Sequence, residues 1–456
     1  MNLVRPKISA DRLLESARDL VQRCGGRAFR SLAVSAVLAM TLAACSGGNP
    51  SLTQPNATDQ TKAATKRAPV VDRDNAPVSL SSRDADAPPP EAGDVRAKVK
   101  IGLLVPLTGA GQTAVIAQSL QKSAELAVAD LRASHVQLIV KDDKGTPEGA
   151  LAAAQELVGE GAEIVLGPMF SKSVQTASAV TRSKNIPMVA FSNDRAVAGT
   201  GVHLLSFLAG PEVQRVVSYA AAQGKKRLVA FVPDDAYGKL VEQALRDAVL
   251  KAGVKLVALE TYPTDGNGRT SPVLEKFKKL RDEMRATEEH GDPIDAIFIP
   301  GGEETVQLIG PLFKQVDLDP TKIKVLGTGA LDTPNAGRDP AFVGTWFATP
   351  DPKGFKDFSE RYAKANGHAP PRIASLAYDA TSLSAALGTA PPGARFIPSA
   401  MTRQSGFTGV DGLFRLTQEG PAERALAIME VRELGAQVID QAPQSFDAGK
   451  SGGGAN

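Results

Sequence analysis

The chain has 456 residues, with 52 Lys and Arg against 50 Asp and Glu, for a net charge of +2. That length supports a substantial core, and basic residues this scattered leave no electrostatic footprint for nucleic acid. Two cysteines exclude a disulfide framework. No G-x-S-x-G, P-loop or H-E-x-x-H occurs, and His135, His203, His290 and His368 sit apart from any metal spacing or nucleophile pattern. These absences argue against an enzyme and suggest no cofactor.

In chain order, residues 10–22 come first, with Leu13, Leu14, Ala17 and Val21 at helical spacing. Arg27 and Arg30 then precede an apolar run, Leu32 to Leu42, and the small residues Ala43 and Ala44 lead to Cys45. A basic region, about 11 apolar residues and a small-residue cleavage site make an export signal, since a spanning helix needs roughly 20. Leu42-Ala43-Ala44-Cys45 resembles the lipobox of bacterial lipoproteins. That resemblance implies that 1–44 is removed with Cys24, and that Cys45 is lipidated and unavailable as nucleophile or metal ligand. Ser46 behind it is similar to the outer-membrane sorting pattern of Gram-negative lipoproteins, implying a periplasmic domain held on the inner leaflet of the outer membrane. Residues 45–96 are rich in Pro, Ala, Ser, Thr and Asp and read as a disordered tether. As a flexible coil of about 50 residues it would span near 40 Å. Residues 441–456 read as a disordered tail.

Between them, 97–440 carries one regular pattern. Short apolar runs at Val99–Val105, Val136–Val140, Ile164–Leu166, Met188–Phe191, Arg227–Val232, Lys255–Leu259, Ala296–Ile299 and Ile323–Leu326 alternate with helix-length segments. One helix spans about 114–133, and another starts at Thr146-Pro147-Glu148 with proline in its first turn. Alternation of this kind predicts an α/β fold with parallel sheets. About 340 residues exceed one ordinary core, which predicts two lobes.

Ligands of open α/β sheets sit where strands turn into helices. Those turns hold Pro106–Thr113, Gly167–Ser173, Ser192–Arg195, Pro233–Gly238, Pro300–Glu304 and Gly327–Asp332. Their glycines, hydroxyls and few carboxylates suit a polar ligand at helix N-termini. Gly109-Ala-Gly-Gln-Thr-Ala114 with Asp142 or Asp143 imitates a dinucleotide fingerprint, but Pro106-Leu-Thr108 separates it from the strand. Ser171 reads as either a helix cap or a ligand contact, and Asp234 and Asp235 as caps, turn residues or ligands. The charged stretch from Phe277 to Arg285 reads as a solvated helix face.

The ordered set Ile101–Gly109, Asp142-Asp143, Val165–Pro168 with Ser171 and Ser173, Ile186–Ser192, Asp234–Gly238 and Gly409–Leu416 resembles type I periplasmic binding proteins of the leucine/isoleucine/valine-binding kind. The resemblance implies two Rossmann-like lobes with parallel sheets, joined by crossings near 206–211, 345–350 and 414–424. Lobe 1 would hold about 97–207 and 348–415, and lobe 2 about 208–347 and 416–440. It implies a non-enzymatic, ABC-type branched-chain amino-acid binder that closes on a small polar solute by hinge motion. Ligand contacts are implied at Ser171, Ser173, Ser192, Asn193, Asp194, Tyr237, Gly302, Glu303 and Gly329. Gly329 stands where the family places an acidic residue for the ligand ammonium, with Glu303, Asp332 or Asp194 as candidate substitutes. The runs around Pro106, Pro168 and Ala190–Arg195 are also similar to the C-terminal module of penicillin-binding protein activators, without their helical solenoid. The partners implied are an amino acid or cell-wall-derived ligand, an ABC permease or a peptidoglycan synthase, and a membrane through the lipid.

Overall fold

The computed structural model describes residues 76–81, 98–264 and 270–446. The signal, the lipobox with Cys45 and the helical pattern at 10–22 lie outside the described residues. The first element is a two-residue strand, β1 (Val78–Ser79). The chain then builds a five-stranded parallel sheet from β2 (Val99–Val105), β3 (Val136–Asp142), β4 (Ile164–Leu166), β5 (Met188–Ala190) and β6 (Val202–Leu204), in the order β3-β2-β4-β5-β6. Helices α1 (Gln112–Asp130), α2 (Pro147–Gly159) and α3 (Ser171–Arg182) follow successive strands. At the start of α2 the Thr146 side chain caps the Gly149 N–H, and Pro147 occupies the first turn, where its missing N–H costs nothing.

After β6 the chain enters α4 (Ala209–Ala222) and a second sheet. This sheet uses β7 (Arg227–Pro233), β8 (Lys255–Tyr262), β9 (Ala296–Phe298), β10 (Lys324–Leu326) and β11 (Trp346–Thr349), with α5 (Ala236–Ala252), α6 (Thr270–Glu289) and α7 (Glu303–Gln315) between strands. The parallel order β8-β7-β9-β10-β11 repeats that of the first sheet. The chain returns to the first lobe through α8 (Pro352–Asn366) and α9 (Ala374–Gly388), whose residues Leu376, Ala377 and Leu383 join Ile101, Leu103 and Leu120 in one core. A four-residue helix, α10 (Pro398–Met401), leads to the hairpin β12 (Phe407–Gly409) and β13 (Gly412–Arg415). Then β14 (Glu423–Arg424) pairs with β13, and the chain crosses again to add antiparallel β15 (Ala427–Val431) and β16 (Ala436–Asp440) to the second sheet. Connections 205–208, 350–351 and 416–426 thus pass between the sheets. The second lobe has its own core, with Phe231, Phe277, Phe313 and Phe342 in a chain of tilted and edge-on ring contacts. Each buried phenylalanine of this kind contributes about 1.5–3 kcal/mol.

Two stretches within segments expected to be unstructured, 76–81 and 441–446, pack against the first lobe and its hairpin. Within the tether, β1 lies parallel to β12, with Val78 and Leu80 donating N–H bonds to the carbonyls of Gly406 and Thr408 at 3.1 and 2.8 Å. Leu80 is only 3% exposed and joins the first-lobe core beside Phe407 and Phe414. An open edge on β12 is thereby covered by the chain's own N-terminal segment. Within the tail, Ala442 is buried with Leu413, and the Phe446 ring lies 4.4 Å from the Arg415 guanidinium. Among the described residues no helix is long and apolar enough to cross a membrane.

Candidate functional site between the lobes

A cavity of about 600 Å³ lies where the carboxyl ends of the two sheets meet. From the first lobe it is lined by Asn193, Asp194, Phe207 and Arg372, and from the second by Ala236, Tyr237, Leu240, Gly329, Ala330, Asp332 and Thr333. Ala209, Glu212 and Thr349 border it where the chain crosses.

Asp194 caps a short helical turn by accepting the Ala196 N–H at 3.0 Å, and Ser192 Oγ accepts the Asp194 N–H at 3.2 Å. Tyr237 sits in the first turn of α5, which Asp235 caps by accepting the Gly238 N–H. Its hydroxyl is 2.8 Å from Thr328 Oγ1, and burial pushes its pKa up to about 12, so it stays neutral.

Of the residues singled out in sequence, Asn193, Asp194, Tyr237, Gly329 and the candidate substitute Asp332 line the cavity, and Ser171, Ser173, Ser192, Gly302 and Glu303 do not. Phe170, not Ser171, occupies the cap position of α3, and Ser173 is fully buried on that helix. Ser192 is 3% exposed and spends its hydroxyl on the local turn and not on the cavity. Gly302 packs under Ala330, where a Cβ would meet the Ala330 carbonyl at 3.0 Å. Glu303 accepts a hydrogen bond from Asn335 Nδ2 at 2.9 Å. The Asp142 of the apparent dinucleotide fingerprint accepts from the Thr108 hydroxyl at 2.5 Å, tying the first strand turn to the second.

Glu212, which sequence reading passed over, places a carboxylate against Gly329. It stands in the first turn of α4 and is 8% exposed. Its Oε2 accepts the Gly329 N–H at 2.9 Å, and a Cβ on Gly329 would fall 2.9 Å from its Oε1. A side chain at 329 and this carboxylate therefore compete for one volume. The acid reaches the cavity from a different element, at a position that reads in sequence as an ordinary first-turn acid favoured by the helix dipole. Burial pushes its pKa up to about 7, opposed by the Gly329 N–H and Arg372 and reinforced by Asp332. Asp332 is itself raised, chiefly by burial.

A family model described as periplasmic binding protein matches residues 98–436. The chain belongs to the periplasmic binding protein family. It is 28% identical over 199 residues to a Leu/Ile/Val-binding protein homolog 3 of Brucella melitensis, covering 41% of this chain and 53% of that one. The match thus spans about half the length of that relative. An ABC transporter substrate-binding protein from Sphaerobacter thermophilus aligns over 77% of this chain and 99% of its own, with a TM-score of 0.61 at 20% identity. A substrate-binding protein from Desulfitobacterium hafniense in complex with Leu aligns over 75% and 100%, with a TM-score of 0.55 at 19% identity. These structural likenesses establish the fold, a type I periplasmic-binding-protein architecture of two lobes.

The raised Glu212 pKa predicts a pH signature. Its folded value of about 7 lies above the unfolded range, so the folded protein holds a proton that the unfolded chain has released between about pH 4.5 and 7. Stability from this group is lost as pH rises through that window, by an amount on the order of 3 kcal/mol. Glu212→Gln should therefore raise the melting temperature at pH 8 more than at pH 5. An equal change at both pH values, measured by calorimetry, would show that Glu212 does not titrate in this range.

Proposed function

We propose that this chain is a lipid-anchored periplasmic solute-binding protein of the leucine-binding kind. It binds a small polar solute between its lobes, works without catalysing a reaction, and delivers that solute to an ABC-type permease. The observation that carries this reading is the cavity itself. Charged and hydrogen-bonding groups from both lobes converge on it, Asp194 and Arg372 from one and Tyr237 and Asp332 from the other. A solute touching both faces stabilises the closed arrangement by its differential affinity for it. The family match and the names of the relatives support a binding role, and the signal-like N-terminus with Cys45 supports export and anchoring.

In a thermal-shift screen of amino acids, diamino acids and cell-wall peptides, a bound solute at 100-fold its Kd adds about 2.7 kcal/mol of stability. Asp194→Ala should reduce the shift caused by any active solute. An undiminished shift would place that solute outside the interlobe cavity. For the anchor, Cys45→Ala should move the protein from the membrane fraction to the soluble periplasmic extract, and retention of the variant in the membrane fraction would refute lipidation at this position.

A further inference from the structure

The charges around the cavity do not balance, and the imbalance indicates what the cavity accepts. Among the described residues Arg372 is the one basic residue lining it, and three carboxylates, Asp194, Glu212 and Asp332, line it as well. Arg372 is already engaged, because its Nη1 donates to the fully buried Asp411 and lies 3.4 Å from Ser375 Oγ. Behind it, Arg424 faces Asp411 and the buried Asp379. Two arginines thus face four buried or half-buried carboxyl groups, Asp379, Asp411, Glu212 and Asp332, so acidic groups are in surplus beside the cavity. Asp194 adds to that surplus, with one oxygen committed to the Ala196 N–H.

Glu212 is more than nine-tenths buried, and only its Oε2 is hydrogen-bonded, to Gly329. Its Oε1 points past the missing Gly329 side chain, in a site where an unpaired carboxylate is costly. Arg372 lines the same cavity, and its Nη2 makes no hydrogen bond within the protein. No three metal-ligating side chains come together among the described residues, which favours an organic ammonium over a bare metal ion.

We propose that the interlobe cavity selects a solute of net positive charge, a diamino acid or similar diamine-bearing compound. One ammonium would lie between Glu212 and Asp332, and the carboxylate would face Arg372. This rests on the solute-binding reading above and narrows it, away from branched-chain amino acids, for which Leu240, Phe207 and Ala330 provide surface but whose single ammonium cannot serve every carboxylate that lines the cavity. Glu212 and Asp332 are then specificity-determining residues.

The test is calorimetric titration of the purified mature protein with L-ornithine and, separately, L-leucine. Ornithine should bind at least about tenfold tighter than leucine, because a buried carboxylate left without its partner weakens binding by that factor or more. Glu212→Gln and Asp332→Asn should each weaken ornithine by about tenfold or more, and Asp332→Asn should weaken ornithine more than it weakens leucine. Circular dichroism melts would establish that both variants fold. Tighter binding of leucine, or ornithine affinity unchanged in both variants, overturns the proposal and leaves the solute-binding reading standing. Binding of neither compound overturns the proposal and counts against that reading too.

Discussion

The buried ion cluster at the crossings is the interaction on which the two-lobed arrangement depends. Asp379 on α9 accepts the Val410 N–H at 2.7 Å and the Asp411 N–H at 3.3 Å, and so fixes the turn between β12 and β13. Asp411 in turn binds Arg372 and accepts the Ser375 hydroxyl at 2.6 Å. Phe207, on the first crossing, lies between the guanidiniums of Arg372 and Arg424 at 4.9 and 5.2 Å. The first crossing, the return into the first lobe and the last crossing therefore meet at one point. Removing one member of such a cluster leaves an uncompensated buried charge, at a cost of about 3–5 kcal/mol. Gly409 belongs to the same constraint, because a Cβ there would lie 2.4 Å from Asp379 Oδ1.

This cluster also sets the chemistry of the cavity. Arg372 is shared between Asp411 and the cavity carboxyls, and burial raises the pKa values of Glu212 and Asp332 further than its charge lowers them. The crossings between the lobes and the acidic lining of the cavity thus share one set of charges.

Much of the fold was legible because it rests on local pattern. The apolar runs at Val99–Val105 and Ile164–Leu166 coincide with β2 and β4, and the Thr146-Pro147 start of α2 announces itself by cap chemistry. The strand at Val78–Ser79 was hidden, since two residues in a Pro- and Asp-rich stretch carry no periodicity and their partner, β12, lies more than 300 residues away. The cavity was legible as a set of turns but not residue by residue. Asn193, Asp194, Tyr237 and Gly329 reach it, whereas Ser173 turns into the core and Glu303 is taken by Asn335. Glu212 was invisible because its role depends on a glycine 117 residues further along, a relation no local pattern encodes.

The central claim is that the two lobes close on a solute between them. Its most direct test is the distance between spin labels at Gln175→Cys on α3 and Gln243→Cys on α5, with Cys45 replaced, measured by pulsed electron resonance with and without each member of an amino-acid and diamino-acid panel. The account predicts a shorter or narrower distance distribution with at least one solute, lost again on Asp194→Ala. The same distribution with every solute would contradict it.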